Sequence, residues 1–120
     1  MSRANRRPST PIALTGTEQH LSGRSVLPDT AALDELGQVC ELITDLDEVT
    51  EASRDWWPIA LHWSLHGAVP RRAGAVARPT TTQQVAQIMT ICASRRIPVT
   101  PSAGRSGVCG AAVPLHGGIV

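Results

Sequence analysis

The tightest constraint on the fold lies between residues 75 and 100, where the apolar pattern changes period twice. Residues 75–78 read as a short strand closed by Pro79. Thr80, Thr81 and Thr82 offer N-caps. Thr80…Gln83 and Thr81…Gln84 both fit a capping box, in which a hydroxyl and an amide side chain satisfy free N–H groups of the first turn. Val85, Ile88, Met89 and Cys92 follow at i, i+3, i+4 and i+7, which predicts one helical stripe facing a core. Arg95 and Arg96 close the helix, where positive charge suits the carbonyl end. Residues 97–100 read as a second strand, with Pro98 near its start. Strand, helix and strand in so short a span predict a right-handed βαβ unit. For the chain as a whole, with the helical region upstream, an α+β class is expected.

Upstream, residues 1–28 are rich in Ser, Thr, Pro, Gly and Arg without sustained periodicity, and read as a flexible leader. Residues 29–67 read as a helical region. Asp29 or Thr30 can cap a helix, and Leu33, Leu36, Cys40 and Ile43 share one face of it. Gly37 weakens that helix by about 1 kcal/mol relative to Ala, so it is expected to stop near Cys40. A short extended piece at 41–44 and an acidic helical turn at 46–53 follow. Asp55-Trp56-Trp57-Pro58 breaks the pattern. Residues 59–66 are apolar with His62 and His66 interleaved, and Gly67 and Pro70 mark a loop. No internal repeat occurs.

The next segment, Pro101-Ser102-Ala103-Gly104-Arg105-Ser106-Gly107-Val108-Cys109-Gly110, follows a predicted strand and is dominated by small residues. Such a loop lets main-chain N–H groups converge on an anion, with the Ser102 and Ser106 hydroxyls as further donors. A pyrophosphate is a natural guest. The common phosphate signatures do not match. The chain has no lysine for a Walker A loop, and the spacing Gly104-x-x-Gly107-x-x-Gly110 is not the dinucleotide fingerprint G-x-G-x-x-G. A tight surface turn between strands is the competing reading. Beyond the loop, Gly117-Gly118-Ile119-Val120 looks like the opening of another strand. The sequence stops as that strand begins, so it is expected to be the N-terminal part of a longer polypeptide or a truncated product.

Charge points the same way. The 11 basic and 10 acidic residues nearly cancel, which argues against a nucleic-acid arm. Every carboxylate side chain lies between Glu18 and Asp55, whereas Trp56 to Val120 carries six arginines: Arg71, Arg72, Arg78, Arg95, Arg96 and Arg105. That stretch suits an anionic ligand, or its partners lie on another segment. The cysteines Cys40, Cys92 and Cys109 form no C-x-x-C, and no apolar core follows Arg6-Arg7, so a reduced, cytoplasmic setting is expected. No apolar run is long enough to span a membrane. His62 and His66 lack the Glu of a zinc-protease helix, so no metal site is assigned. Trp56, Trp57 and Trp63 are expected to pack, Asp55 to cap a turn, and Cys109 to fill space in its loop. Arg71-Arg72 is expected to be a solvated pair.

Residues 68–120 resemble the start of the FAD-binding domain (PCMH type) of the vanillyl-alcohol oxidase / p-cresol methylhydroxylase superfamily. Ala75-Val76-Ala77-Arg78-Pro79-Thr80 is similar to that family's strand followed by Pro-Ser/Thr, and Gln83-Gln84-Val85 to its helix start. Ile97-Pro98-Val99-Thr100-Pro101 is similar to its second strand, Pro101 to Gly110 to its diphosphate loop, and Gly117-Gly118-Ile119-Val120 to the strand beyond. The resemblance implies an incomplete FAD-binding portion over 68–120. It implies that Pro101, Ser102, Ala103, Gly104, Arg105, Ser106, Gly107 and Gly110 hold the FAD diphosphate. Ser106 stands where some members carry a flavin-linked histidine, which implies non-covalent FAD. Ser102, Ala103 and Arg105 depart from the family's usual Arg, Gly and Gly; Arg105 either crowds the amides or reaches the phosphates. The tryptophan block and this version of the loop look most like bacterial relatives of alkyldihydroxyacetonephosphate synthase, with glycolate and D-lactate dehydrogenases as the alternative. Catalytic residues are expected beyond Val120. The implied whole enzyme takes a small-molecule substrate, binds no nucleic acid and admits a homodimer. A non-catalytic remnant or interaction fragment is the other expectation.

Overall fold

A computed structural model describes residues 21–120. The predicted leader falls outside the described residues as far as residue 20. From Leu21 onward it is tied down: the Val26 N–H donates to the His116 carbonyl at 2.9 Å, and the Gly118 N–H donates to the Val26 carbonyl at 2.6 Å.

The helical region follows its local signals closely. Helix α1, Thr30–Val39, is capped by Asp29, whose Oδ1 accepts the Ala32 N–H at 2.8 Å. It passes through exposed Gly37 and ends at Cys40. Strand β1, Glu41–Ile43, leads to helix α2, Leu46–Ala52, whose cap Asp45 accepts the N–H groups of Asp47 and Glu48. Helix α3, Pro58–Leu65, starts on a proline, whose missing N–H costs nothing in a first turn. Strand β2, Val76–Arg78, precedes helix α4, Thr82–Arg95. Thr81 caps α4 by accepting the Gln84 N–H at 3.1 Å, while the Gln84 side chain accepts the Thr80 N–H at 2.7 Å. The two halves of the expected box are thus split between Thr81 and Thr80.

β1 and β2 pair antiparallel, with Glu41 opposite Arg78 and Ile43 opposite Val76. On the other side of β2, residues 118–120 run parallel: the Gly74 N–H donates to the Gly118 carbonyl at 2.8 Å, and the Ala77 N–H to the Val120 carbonyl at 2.8 Å. Residues 97–100 lie beyond them, joined by Ile119 N–H to Pro98 O and Thr100 N–H to Ile119 O, both 2.9 Å. The order is β1, β2, 118–120, 97–100. Both extended arms of the predicted βαβ unit are therefore parallel to Ile119, but they are not neighbours: α4 carries the chain across a gap that Ile119 fills. Gly117 and Gly118 turn into this position at φ of 75° and 72°. A Cβ on Gly118 would collide with the Pro98 carbonyl.

α1 packs on α4. Ala32 and Leu36 of α1 meet Ile88, Ile91 and Cys92 of α4 over Ala75, Ile97 and Ile119. This corrects the predicted stripe. Val85 is 45% and Met89 49% exposed, and Ile91 takes their place in the core. At about 100° per residue Ile88, Ile91 and Cys92 share one face, and Val85 and Met89 lie on its flank, where they border a cleft with Ala77, Val99 and Ile119. Val49, Ala73 and Val120 form a second cluster, beside which the buried Ser53 hydroxyl donates to the Val49 carbonyl and accepts the Ala73 N–H. Ala60, Trp63 and Val113 form a third.

Among the described residues, no helix is long and apolar enough to cross a membrane. No group of three or more His, Cys, Asp or Glu among them could hold a metal ion.

Candidate functional site

The glycine-rich loop leaves the sheet at the carboxyl end of 97–100. Pro101, Ser102, Ala103, Gly104, Ser106 and Gly107 are exposed, and Arg105 is half-buried. Among the described residues, no main-chain N–H from Ser102 to Ala112 donates to a protein carbonyl. A tight surface turn would use those groups internally; among the described residues they meet no main-chain acceptor. Gly104 leaves open space around the main chain, with no atom within 4 Å of where a Cβ would stand.

Two clefts flank Ser102. The first, 430 Å³, is bordered by Arg78, Arg105, Ser102, Ala103 and Pro79. The second, 290 Å³, is lined mainly by apolar groups, among them Val85, Met89, Val99, Pro101 and Ile119. Ala77, Pro79, Ser102 and Val120 belong to both. The exposed flank of α4, with Val85 and Met89, makes one wall of the apolar cleft. In sequence, Arg78 ends a predicted strand beside Pro79 and is given no part in the site; that position at the end of β2 is the signal that sets it at this cleft.

Arg105 occupies the left-handed region at φ 51°, a conformation that favours glycine. Its guanidinium donates to the Glu51 carbonyl and lies 3.8 Å from the Glu51 carboxylate. It ties the loop to the end of α2 and borders the cleft beside Ser102 and Ala103. Arg54 grips the same carboxylate through two hydrogen bonds of 2.9 and 2.8 Å.

The far end of the loop rests on the tryptophan block. The Trp56 N–H donates to the Gly107 carbonyl at 3.0 Å. Gly110, at φ 79°, is buried, and a Cβ there would stand 2.8 Å from the Trp57 ring. It faces that ring rather than the open side of the loop. Trp57 in turn meets Trp63 edge-on, centroids 5.6 Å apart. Trp57 and Trp63 pack as expected, but Trp56 is 59% exposed, because its role at the loop is carried by its main chain. Cys109 is exposed and fills no interior space. Asp55 does cap its turn: Oδ1 accepts the Trp57 N–H at 2.9 Å. Arg71 is not merely solvated, since it donates to the Gly23 carbonyl at 3.1 Å. His66 Nδ1 is 2.8 Å from the His62 carbonyl, a local helix-end contact.

Main-chain N–H groups without a protein carbonyl acceptor, at the carboxyl ends of parallel strands and with the Arg78 and Arg105 guanidinium groups bordering the same cleft, are a chemistry that suits an anion. Residues 73–120 match the family model of an FAD binding domain. The chain is also similar to an oxidase subunit and to dehydrogenases. It is 37% identical to the glycolate oxidase subunit GlcD of Bacillus subtilis over 46 residues, 38% of this chain and 10% of that protein. It is 39% identical to the D-lactate dehydrogenase of Anaerostipes hadrus over 49 residues, 41% of this chain and 10% of that one. The mitochondrial D-2-hydroxyglutarate dehydrogenase of Bos taurus is 32% identical over 94 residues, 77% of this chain and 15% of that protein. That last likeness is longer than the family match, so it reaches into the helical segment before residue 73. The chain spans 10–15% of the length of these relatives.

Proposed function

We propose that the chain forms part of the cofactor site of an FAD-dependent oxidoreductase, and that residues 101–107 hold the FAD diphosphate without a covalent bond. One observation carries this reading: the free amides from Ser102 onward, bordered by Arg78 and lacking any carboxylate of their own segment. FAD, when bound, supplies the redox chemistry. The chain's own residues bind and orient it. The loop amides and the Ser102 hydroxyl donate to phosphate oxygens, Arg78 balances charge, and the apolar cleft offers Val85, Met89 and Val99 to a ring. Gly110 holds the loop down from behind rather than touching the cofactor. With Ser106 at the position of the family's linking histidine, no flavin bond forms here.

Glycolate, D-lactate and D-2-hydroxyglutarate are all 2-hydroxy acids. The relatives therefore favour a small 2-hydroxy acid as substrate over the synthase-like chemistry suggested by the tryptophan block. A cytoplasmic site of action belongs to the same reading.

Titration of the purified 120-residue chain with FAD tests it, followed by flavin fluorescence and thermal unfolding. Quenching with a rise in Tm is expected, and acid precipitation should leave all flavin in the supernatant. Absence of both quenching and shift at millimolar FAD overturns the assignment and favours a non-catalytic fragment.

A further inference from the structure

Asp55 is the one described residue with a buried side-chain oxygen that has no hydrogen-bond partner. The residue is 2% exposed. Its Oδ1 is used by the Trp57 N–H. Its Oδ2 lies under the glycine-rich loop, 3.8 Å from where a Cβ on Gly107 would stand. Leaving a buried carboxylate oxygen unpaired is costly, so such an atom is a place where a partner is expected. The neighbouring Trp56 N–H already holds the Gly107 carbonyl, which brings the main chain of 106–109 over this oxygen.

We propose that Asp55 is a positioning residue for the anion-binding loop. Oδ1 fixes the 55–57 turn, so that Trp56 presents its N–H to Gly107. Oδ2 accepts a main-chain N–H from 106–109 when the loop closes over an anion, holding the remaining amides outward toward it. The residue touches neither cofactor nor substrate. It lies outside the 73–120 match, so the helical segment supplies the floor of the site. The closing step rests on the FAD reading above; the anchoring of the 55–57 turn does not.

Hydrogen exchange read by mass spectrometry on the 120-residue chain, with and without FAD or inorganic pyrophosphate, separates the two. In Asp55→Ala the amides of 55–57 and 105–110 are expected to exchange about tenfold faster than in wild type, from loss of a charge-assisted hydrogen bond, with α4 unchanged. FAD is expected to protect the wild-type loop and to bind Asp55→Ala about tenfold more weakly. Asp55→Asn has one acceptor oxygen for two N–H groups, so either Trp57 or the loop loosens. It serves as the decisive variant if the alanine form does not fold. Unchanged exchange at both places in a folded variant overturns the proposal. If neither FAD nor pyrophosphate protects the wild-type loop, the FAD reading and the closing step fail together. The exchange difference between wild type and variant then still decides the anchoring role.

Discussion

Gly118 and Gly104 place opposite demands on a side chain. At Gly118 a Cβ meets the Pro98 main chain at a φ of 72°, whereas at Gly104 it meets nothing within 4 Å. Gly118→Ala is expected to lower stability by about 3 kcal/mol or more, combining left-handed strain with a main-chain collision. Gly104→Ala should stay within about 0.5 kcal/mol, since it is exposed and free of contacts. Urea midpoints of the two variants measure the contrast. The thiols differ as sharply. Burial pushes the Cys92 thiol up, and Cys40 is raised chiefly by burial, with the Glu41 charge adding and a hydrogen bond from the Arg78 main chain opposing. The folded chain therefore holds these protons more tightly than the unfolded one. That stability is complete below the unfolded thiol pKa of about 8.5 and is lost as pH rises through the folded values. A Tm that falls as pH rises above about 8.5 is expected, with exposed Cys109 the first to react with a thiol reagent.

Among the elements, α1 was the most legible in sequence, because its signals are local. Asp29 caps it, Leu36 sits in its apolar face, and it ends at Cys40 as expected, although it runs through Gly37 and the apolar spacing continues to Ile43. Asp29→Ala should cost about 1 kcal/mol by freeing the Ala32 N–H. Gly37→Ala should return about 1 kcal/mol, because the added methyl group meets no atom within 4 Å and the helix already runs through that position. Thermal unfolding of the two single variants and their double reads both. The sheet order was not legible: strands of three residues carry little pattern, and nothing near Ile119 tells it to lie between Ala75 and Val99. The face of α4 misled for a related reason. Periodicity finds a stripe but does not say where its buried centre falls, and here it falls on Ile88, Ile91 and Cys92, leaving Val85 and Met89 on the flank. The loop's composition was legible, but not its floor, since Asp55 and Trp56 act through single hydrogen bonds that no spacing announces.

At the scale of the molecule, the split of charge along the sequence becomes a set of contacts between its halves. Arg95 meets Glu35 at 2.8 Å, Arg78 lies 3.9 and 3.8 Å from Glu41 and Glu48, and Arg105 reaches Glu51. Three of the six downstream arginines thus find acidic partners upstream, as the alternative to an anionic ligand required. These pairs are largely exposed, and each contributes about 0–1 kcal/mol. Their larger effect is on the site, where Glu51 holds the Arg105 guanidinium at the end of α2. Glu51→Gln leaves the main-chain carbonyl that accepts from Arg105 but removes a negative charge beside the site. FAD affinity is then expected to rise about two- to tenfold, with the gain shrinking in high salt, as titration at two ionic strengths would show.

The seat of Ile119 has a consequence for synthesis on the ribosome. The chain makes both flanks of that seat, 75–78 and 97–100, well before it makes the piece that joins them. A nascent chain emerged only to about residue 117 would hold two parallel segments separated by an empty lane two strand spacings wide, roughly 10 Å. The anion cradle hangs from one bank of that lane, so its frame closes only when Gly118, Ile119 and Val120 thread between the banks.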